Sequence, residues 1–202
     1  MAETAATKSA ALALADERAL MRQGYQFLDE KRMLLAAEML RTLHEHGVLE
    51  AQLRERLHEA QAALRSALQR HGLEGLQAYP ATDAAPALAA PTRSIFLGVP
   101  MLAAVFVPPA RQGADLALDA SPQARACRDA FLALLEPLAL LAAGVGNLER
   151  LGAEYRRTER RARALENVLL PEIETALRRI DGHLELADQE EAARIRLAGR
   201  HR

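Results

Sequence analysis

Two hundred and two residues, half of them hydrophobic, suffice for one domain with a core, and a formal charge of -1 gives no net pull toward nucleic acid or acidic lipid. Aromatics make up 3% and tryptophan is absent, so the interior has to be built from Leu and Ala, which suits close helix seams better than a broad globular core. The single cysteine, Cys127, excludes an internal disulfide and a cysteine-built zinc site.

At the N-terminus Asp16, Glu17 and Arg18 interrupt any apolar core early, so no secretory signal is read and a cytoplasmic location is expected. From Ser9 to His71 there is no proline, and apolar residues recur at helical spacing. Leu14, Met21, Leu28 and Leu35 lie seven apart, with Leu20, Phe27 and Leu34 as a second sevenfold row beside them. Two such rows describe a left-handed coiled-coil face. Leu53, Leu57, Ala60, Leu64 and Ala67 continue it by fours and threes. Ser9 can cap the start and Gly72 can end the helix.

The pattern breaks from Leu73 to Ser121, where most of the prolines lie. Within this stretch Ser94 to Val107 reads as two short strands around Gly98 and Pro100. Helical spacing resumes at Pro122 and persists to about Arg200. Phe131 to Leu148 carries one charge, Glu136, and approaches the length of a membrane span. The threefold and fourfold spacing of Phe131, Leu134, Leu138, Leu141, Val145 and Leu148, together with Pro137, Gly144 and Gly146, favours a buried soluble helix. Farther on, Tyr155, Ala162, Leu165, Leu169 and Ile173 form one stripe, while Arg156, Arg160 and Arg163 line a neighbouring face. Pro171 removes one helix hydrogen bond; spacing alone allows either a helix that continues through it or a new helix with Pro171 in its first turn.

At 1.5 Å per residue, helices of about 60 and 75 residues are roughly 90 and 110 Å long, against about 40 to 45 Å for a globule of this chain length. The fold class expected is therefore mainly α: a long antiparallel two-helix coiled-coil hairpin whose arms are residues 1–72 and 122–202. A small middle head, 73–121, contains a short β-hairpin and caps the far end.

Chemistry-bearing motifs are missing. The six histidines are scattered, with no ligand spacing among them. Gly144-Val-Gly146 lacks the third glycine and the preceding strand of a dinucleotide loop, and there is no phosphate-binding loop. The arginines from Arg150 to Arg163 are interleaved with Glu149, Glu154 and Glu159, which favours a solvated or partner-facing surface over nucleic acid.

The stretch Glu154 to Glu174, EYRRTERRARALENVLLPEIE, resembles the C-terminal helix of the D subunits that form the central shaft of the V/A-type (vacuolar/archaeal-type) rotary ATPases and ATP synthases. That family reads T-R-R-R-V-N-A-L-E, then apolar residues and I-P. Thr158, Arg160, Arg161, Ala164, Leu165, Glu166 and Pro171 fall on the pattern, whereas Glu159, Ala162 and Arg163 depart from it. Gly24, Leu28, Lys31 and Arg32 match the N-terminal motif, with Phe27 and Met33 as departures. Gly98, Val99 and Pro100 are similar to a middle segment, and Glu190 to Arg196 to the family's ending, with Ala193 in place of an aromatic. Gly24 is read as a point of close approach by a partner helix.

The resemblance implies a continuous, bent helix through Pro171 and a non-catalytic rotor subunit coupling ATP hydrolysis or synthesis to proton or sodium transport. It implies no catalytic, cofactor-binding or metal residues. The shaft surface would comprise Gly24, Lys31, Arg32, Arg156, Arg157, Arg160, Arg161, Arg163, Glu166, Arg194 and Arg196, with the bend at Pro171. Its partners would be catalytic and non-catalytic subunits of the ATPase ring, a small central-stalk companion subunit and a membrane-rotor adaptor subunit. Neither nucleic acid nor direct membrane insertion is expected; the chain would be cytoplasmic and peripheral to the membrane through the complex. A soluble coiled-coil scaffold or adaptor is the alternative, because heptads specify packing and not partners.

Overall fold

The computed structural model describes residues 7–79, 87–107 and 121–199. Pro80, Pro86, Pro108, Pro109 and His201, which fall within the ranges read above, lie outside the described residues, as does much of the expected head. In chain order the elements are helix α1 (Lys8–Gln77), strands β1 (Ala87–Phe96) and β2 (Val99–Val107), and helices α2 (Pro122–Leu132) and α3 (Leu135–Ala164). A π turn (Leu165–Leu169) and helix α4 (Leu170–Gly199) complete the order. The expected architecture is present: a long N-terminal helix, a long C-terminal helical run and a two-stranded antiparallel sheet between them. The chain divides into two compact units, one of Met1–Leu34 with Tyr155–Arg202 and one of Leu35–Glu154.

Helix α1 starts slightly earlier than the sequence suggests. Thr7, not Ser9, supplies the cap: its Oγ1 accepts from the Ala10 N–H at 3.2 Å, and its carbonyl from the Ala11 N–H at 3.1 Å. At Gly72 the backbone turns to φ 66°, ψ 175°, so the long run does break there, although helical structure resumes as far as Gln77. That left-handed φ is cheap only for glycine.

In the unit Leu35–Glu154, α1 and α3 run antiparallel. Met39 lies against Gly152 and His46 against Gly144, while Arg56 Nη1 donates to the Ala133 carbonyl at 3.1 Å. The covered positions Leu134, Pro137, Leu141, Gly144, Leu148 and Leu151, at and beyond the start of α3, alternate by threes and fours. On α1 the series Leu35, Met39, Thr42, His46, Leu49, Leu53, Arg56 and Ala60 does the same, as a coiled-coil seam requires. Leu35, Ala60 and Leu151 are fully buried. Leu57, Phe131, Leu138 and Val145, expected in the seam, are instead 40–46% exposed. They fall beside the alternating positions, so a two-helix contact cannot reach them.

The helical run from Pro122 is interrupted at Ala133–Leu134, three or four residues before Pro137. In an unbroken helix the proline ring would meet the carbonyl four residues back, that of Ala133; here that carbonyl accepts from Arg56 instead. By length and composition, the helical run Pro122–Leu197 is the one among the described residues that could cross a membrane; 11% of its most apolar 18 residues is buried, and Leu134, Leu141 and Leu151 are covered within this unit.

The hairpin pairs Phe96 with Val99 and Ile95 with Pro100. Both turn residues have positive φ, Leu97 at 48° and Gly98 at 86°, the sign pattern of a type I′ turn whose twist matches the strands. The first strand begins at Ala87, earlier than Ser94, because the register shift between Ala89 and Thr92 accommodates Pro91.

The hairpin does not simply cap the arms. Met101, Leu102, Ala103 and Ala104 of β2 share a small cavity with Arg41, Thr42, Glu45, His46 and Leu49 of α1 and with Leu140, Leu141, Ala143, Gly144 and Asn147 of α3. The Asn147 amide holds it there, since Oδ1 accepts from the Leu102 N–H and Nδ2 donates to the Leu102 carbonyl, both at 2.9 Å. A side chain thus occupies the sheet's open edge as a third strand would.

Where α2 begins, Ser121 is buried and caps Ala124 N–H at 3.1 Å while bonding His71 Nε2 at 2.6 Å. Tyr79 packs edge-on to the His71 ring and places its hydroxyl 3.5 Å from the Ser121 N–H. This clasp joins the two ends of the unit's middle segment.

Candidate functional site

The unit of Met1–Leu34 with Tyr155–Arg202 carries the surface residues singled out by sequence. Its helices are also antiparallel: Gly24 faces Leu165, Arg22 Nη2 donates to Glu174 Oε1 at 2.9 Å, and Ala11, Ala15 and Arg18 share a groove with Leu177, Arg178 and Asp181. The covered row Leu14, Met21 and Leu28 is the expected one. Its companion, however, is Arg18, Tyr25 and Arg32, because Leu20, Phe27 and Leu34 are 64%, 66% and 53% exposed. A residue immediately before a seam position is turned about 100° away from it, whereas one four residues on stays on the same side. Arginine serves at such places by laying its methylenes along the seam and keeping its head in water.

Arg156, Arg157, Arg160, Arg161 and Arg163 are all exposed, while Thr158 and Ala162 between them are buried. The alternation follows from helical pitch: Thr158 and Ala162 are four apart on the covered side and the guanidiniums occupy the rest of the circumference. Arg163 pairs with Glu159 at 2.7 Å, an exposed contact of about 0.5 kcal/mol. The remaining surface is cationic, and among the described residues no group of three or more His, Cys, Asp or Glu could hold a metal ion. Such a surface can recognise an acidic or carbonyl-rich partner.

Glu166 lies apart from the arginine face and close to Tyr25 on α1. Desolvation against the neighbouring helix pushes the Tyr25 phenol above its usual value, the charges of Glu166 and Asp29 add to this, and Arg32 opposes it. Arg32 itself bonds Asp29 at 2.5 Å, and Lys31 beside it is half-buried. Gly24 lies against the C-terminal helical run. A Cβ built there meets Leu165 Cδ1 at 3.7 Å, ordinary contact, so the helix approach leaves room for alanine and does not demand glycine. Near the end of α4, Arg194 reaches Glu190 at 4.0 Å, and every described side chain from 185 to 197 is exposed, Arg196, Leu186, Ile195 and Leu197 among them.

Through Pro171 the backbone stays helical, as expected of a continuous helix, with the π turn immediately before it. Leu169, expected on the packed stripe, is 39% exposed, and Leu170 is half-buried in its stead. Sequence reasoning missed Tyr25, Asn147 and Leu170. A polar asparagine within the apolar run of α3, after Gly146, was the only available signal for Asn147.

The sequence has counterparts among known proteins. The profile of the ATP synthase D-subunit family matches residues 10–200. The chain is 37% identical to the V-type ATP synthase D subunit of Anaeromyxobacter dehalogenans strain 2CP-1 over 203 aligned positions, covering 97% of this chain and 95% of that one. It is 35% identical to that of Anaeromyxobacter sp. strain K over 202 positions with the same coverage, and 31% identical to the V-type ATP synthase D subunit numbered 2 of Treponema pallidum over 188, covering 92% and 89%. With the profile spanning both long helices and the hairpin between them, the chain belongs to the ATP synthase D-subunit family.

Proposed function

We propose that the chain is the central shaft of a V/A-type rotary ATPase or ATP synthase, a non-catalytic subunit that couples ATP hydrolysis or synthesis in a catalytic ring to proton or sodium movement across a membrane. The observation that carries this is the extent of the family match: residues 10–200 include nearly the whole of both long helices and both strands. A free-standing coiled-coil scaffold is not favoured for a chain matched over nearly its whole length.

In this reading the arms, 1–72 and 122–202, form the shaft and 73–121 the head. The end of α4, exposed from 185 to 197, enters the ring of catalytic and non-catalytic subunits. The exposed arginines from Arg156 to Arg163 meet acidic and carbonyl groups on the surrounding subunits. Lys31, Arg32 and Glu166 belong to the shaft surface nearby. A small companion subunit binds alongside, and the head faces the membrane-rotor adaptor. The chain sits on the cytoplasmic side, held to the membrane through the complex and not inserted in it. Its mechanical contribution is stiffness plus asymmetric contact, so that each angle favours a different nucleotide state around the ring.

The experiment is a reversible tether. Replace Cys127→Ser, introduce Arg196→Cys, and add a cysteine on the facing surface of a catalytic subunit in the assembled complex. Oxidation should stop ATP turnover and reduction should restore it. Full turnover with the disulfide demonstrably formed would reject rotation of that tip.

A further inference from the structure

In the unit of Met1–Leu34 with Tyr155–Arg202, the C-terminal seam has one irregular step. Tyr155, Thr158, Ala162 and Leu165 are covered at intervals of three, four and three, and Leu170, Ile173, Leu177, Ile180 and Leu184 resume the same alternation. Between Leu165 and Leu170 the interval is five, and the four residues spanned, 166–169, are all exposed. A regular seam would place Leu169 there. The facing row on α1, Leu14, Arg18, Met21, Tyr25, Leu28 and Arg32, has no such step. The surplus residue therefore belongs to the C-terminal helix alone.

The backbone shows where it is stored. The Leu170 N–H bonds the Leu165 carbonyl, five residues back, closing the π turn Leu165–Leu169. Pro171 follows at once. In an α-helix its ring would press on the Asn167 carbonyl and leave it without a donor; a widened turn moves that carbonyl outward. Glu166, the first residue after Leu165, lies near Tyr25 of α1, and beyond the turn Arg22 reaches Glu174 at 2.9 Å. The turn is thus followed by a cross-helix ion pair and closed by a proline.

We infer that residues 165–171 are a built-in joint: a one-residue insertion in the coiled coil, held as a π turn by Pro171, that sets the rotation of α4 about its axis and is the compliant point of the helix. Such a joint is a property of the chain alone and does not rest on its turning within an ATPase.

A deletion tests it. Removing one residue from a coiled-coil helix ordinarily turns everything beyond it by about 100° and breaks the seam. Here, deleting exposed Val168 changes the step of five to a regular four. The full-length chain lacking Val168 and carrying Pro171→Ala should keep its helical circular dichroism and melt no lower than wild type. A control lacking exposed Arg179 should melt at least about 5 °C lower. The chain lacking Val168 but retaining Pro171 should fall between the two. Hydrogen exchange supplies the second readout: amides of 166–170 should exchange at least tenfold faster than those of 156–164 and 174–180, and the contrast should vanish in the deleted Pro171→Ala chain. A deletion at 168 as damaging as the one at 179, or uniform exchange across 156–180 in the wild type, would overturn the inference.

Discussion

Asn147 offers the sharpest test of how the hairpin is held. Its side-chain amide makes two hydrogen bonds of 2.9 Å to the backbone of Leu102, and its Oδ1 also accepts from Arg150 Nη2 at 2.7 Å. In Asn147→Ala the Leu102 N–H and C=O lose both partners in a partly buried place. At about 0.5–1.5 kcal/mol for each hydrogen bond, the docking of β2 should weaken by roughly 1–3 kcal/mol. Exchange of the Leu102 amide through local opening should accelerate accordingly, by about 5- to 150-fold. Because the helices bury Leu35, Ala60 and Leu151 in their own seam, helical circular dichroism should not change. Asn147→Asp separates the two bonds: a carboxylate still accepts from Leu102 N–H but faces the Leu102 carbonyl with no donor, so its defect should shrink as acid protonates it. The clamp is refuted if Leu102 exchange is unchanged in Asn147→Ala, or if hairpin and helices lose protection together.

Other substitutions check separate points. Gly24→Ala should stabilise the chain by about 1 kcal/mol in urea unfolding, since the new Cβ meets only Leu165 Cδ1 at 3.7 Å and the helix gains alanine's propensity. Leu151→Ala, at a fully buried seam position, should cost about 2–5 kcal/mol in the same assay. The raised Tyr25 phenol makes an alkaline prediction: an unfolded tyrosine loses its proton near pH 10 while the folded one retains it, so stability should fall as pH climbs above about 10, and less steeply in Tyr25→Phe. In acid the opposite logic applies to Glu38, whose carboxyl the Arg41 hydrogen bond holds below its ordinary value; Glu38→Gln should flatten the loss of stability as pH falls below about 4.5.

Much of the fold was legible because a seam leaves a strong trace. The row Leu14, Met21, Leu28 and Leu35 is covered as its spacing requires, and the strands sit around Gly98 because a tight two-residue turn needs positive φ. What misled was the use of hydrophobicity to choose the second row. Leu20, Phe27 and Leu34 are more apolar than Arg18, Tyr25 and Arg32, yet geometry selects the latter, and a narrow two-helix contact tolerates an arginine stem. Tertiary contacts of single polar groups left no pattern at all. Neither the Asn147 clamp nor the placing of Tyr25 near Glu166 follows from periodicity, and the docking of β2 beside residues 41–49 depends on the former.

The candidate surface is proposed on other grounds, from the order of residue types and not from chemistry. Arg156, Arg157, Arg160, Arg161 and Arg163 differ little, by composition, from the arginines of any solvated helix. What distinguishes them is that Thr158 and Ala162, small residues, occupy the covered side of the same turns. Small seam residues bring the paired helices close, so the cationic groups stand on a narrow and well-supported rod. Long leucines at 158 and 162 would push the helices apart and let that rod flex. In the proposed role, pressing on neighbouring subunits, the surface needs such backing more than it needs any reactive group. Substituting leucine for Thr158 or Ala162 should therefore lower ATP-driven ion transport per ATP hydrolysed in an assembled complex more than removing any single exposed arginine between them. Equal coupling in Ala162→Leu and wild type, with the complex intact, would show that close helix packing is not what the surface relies on.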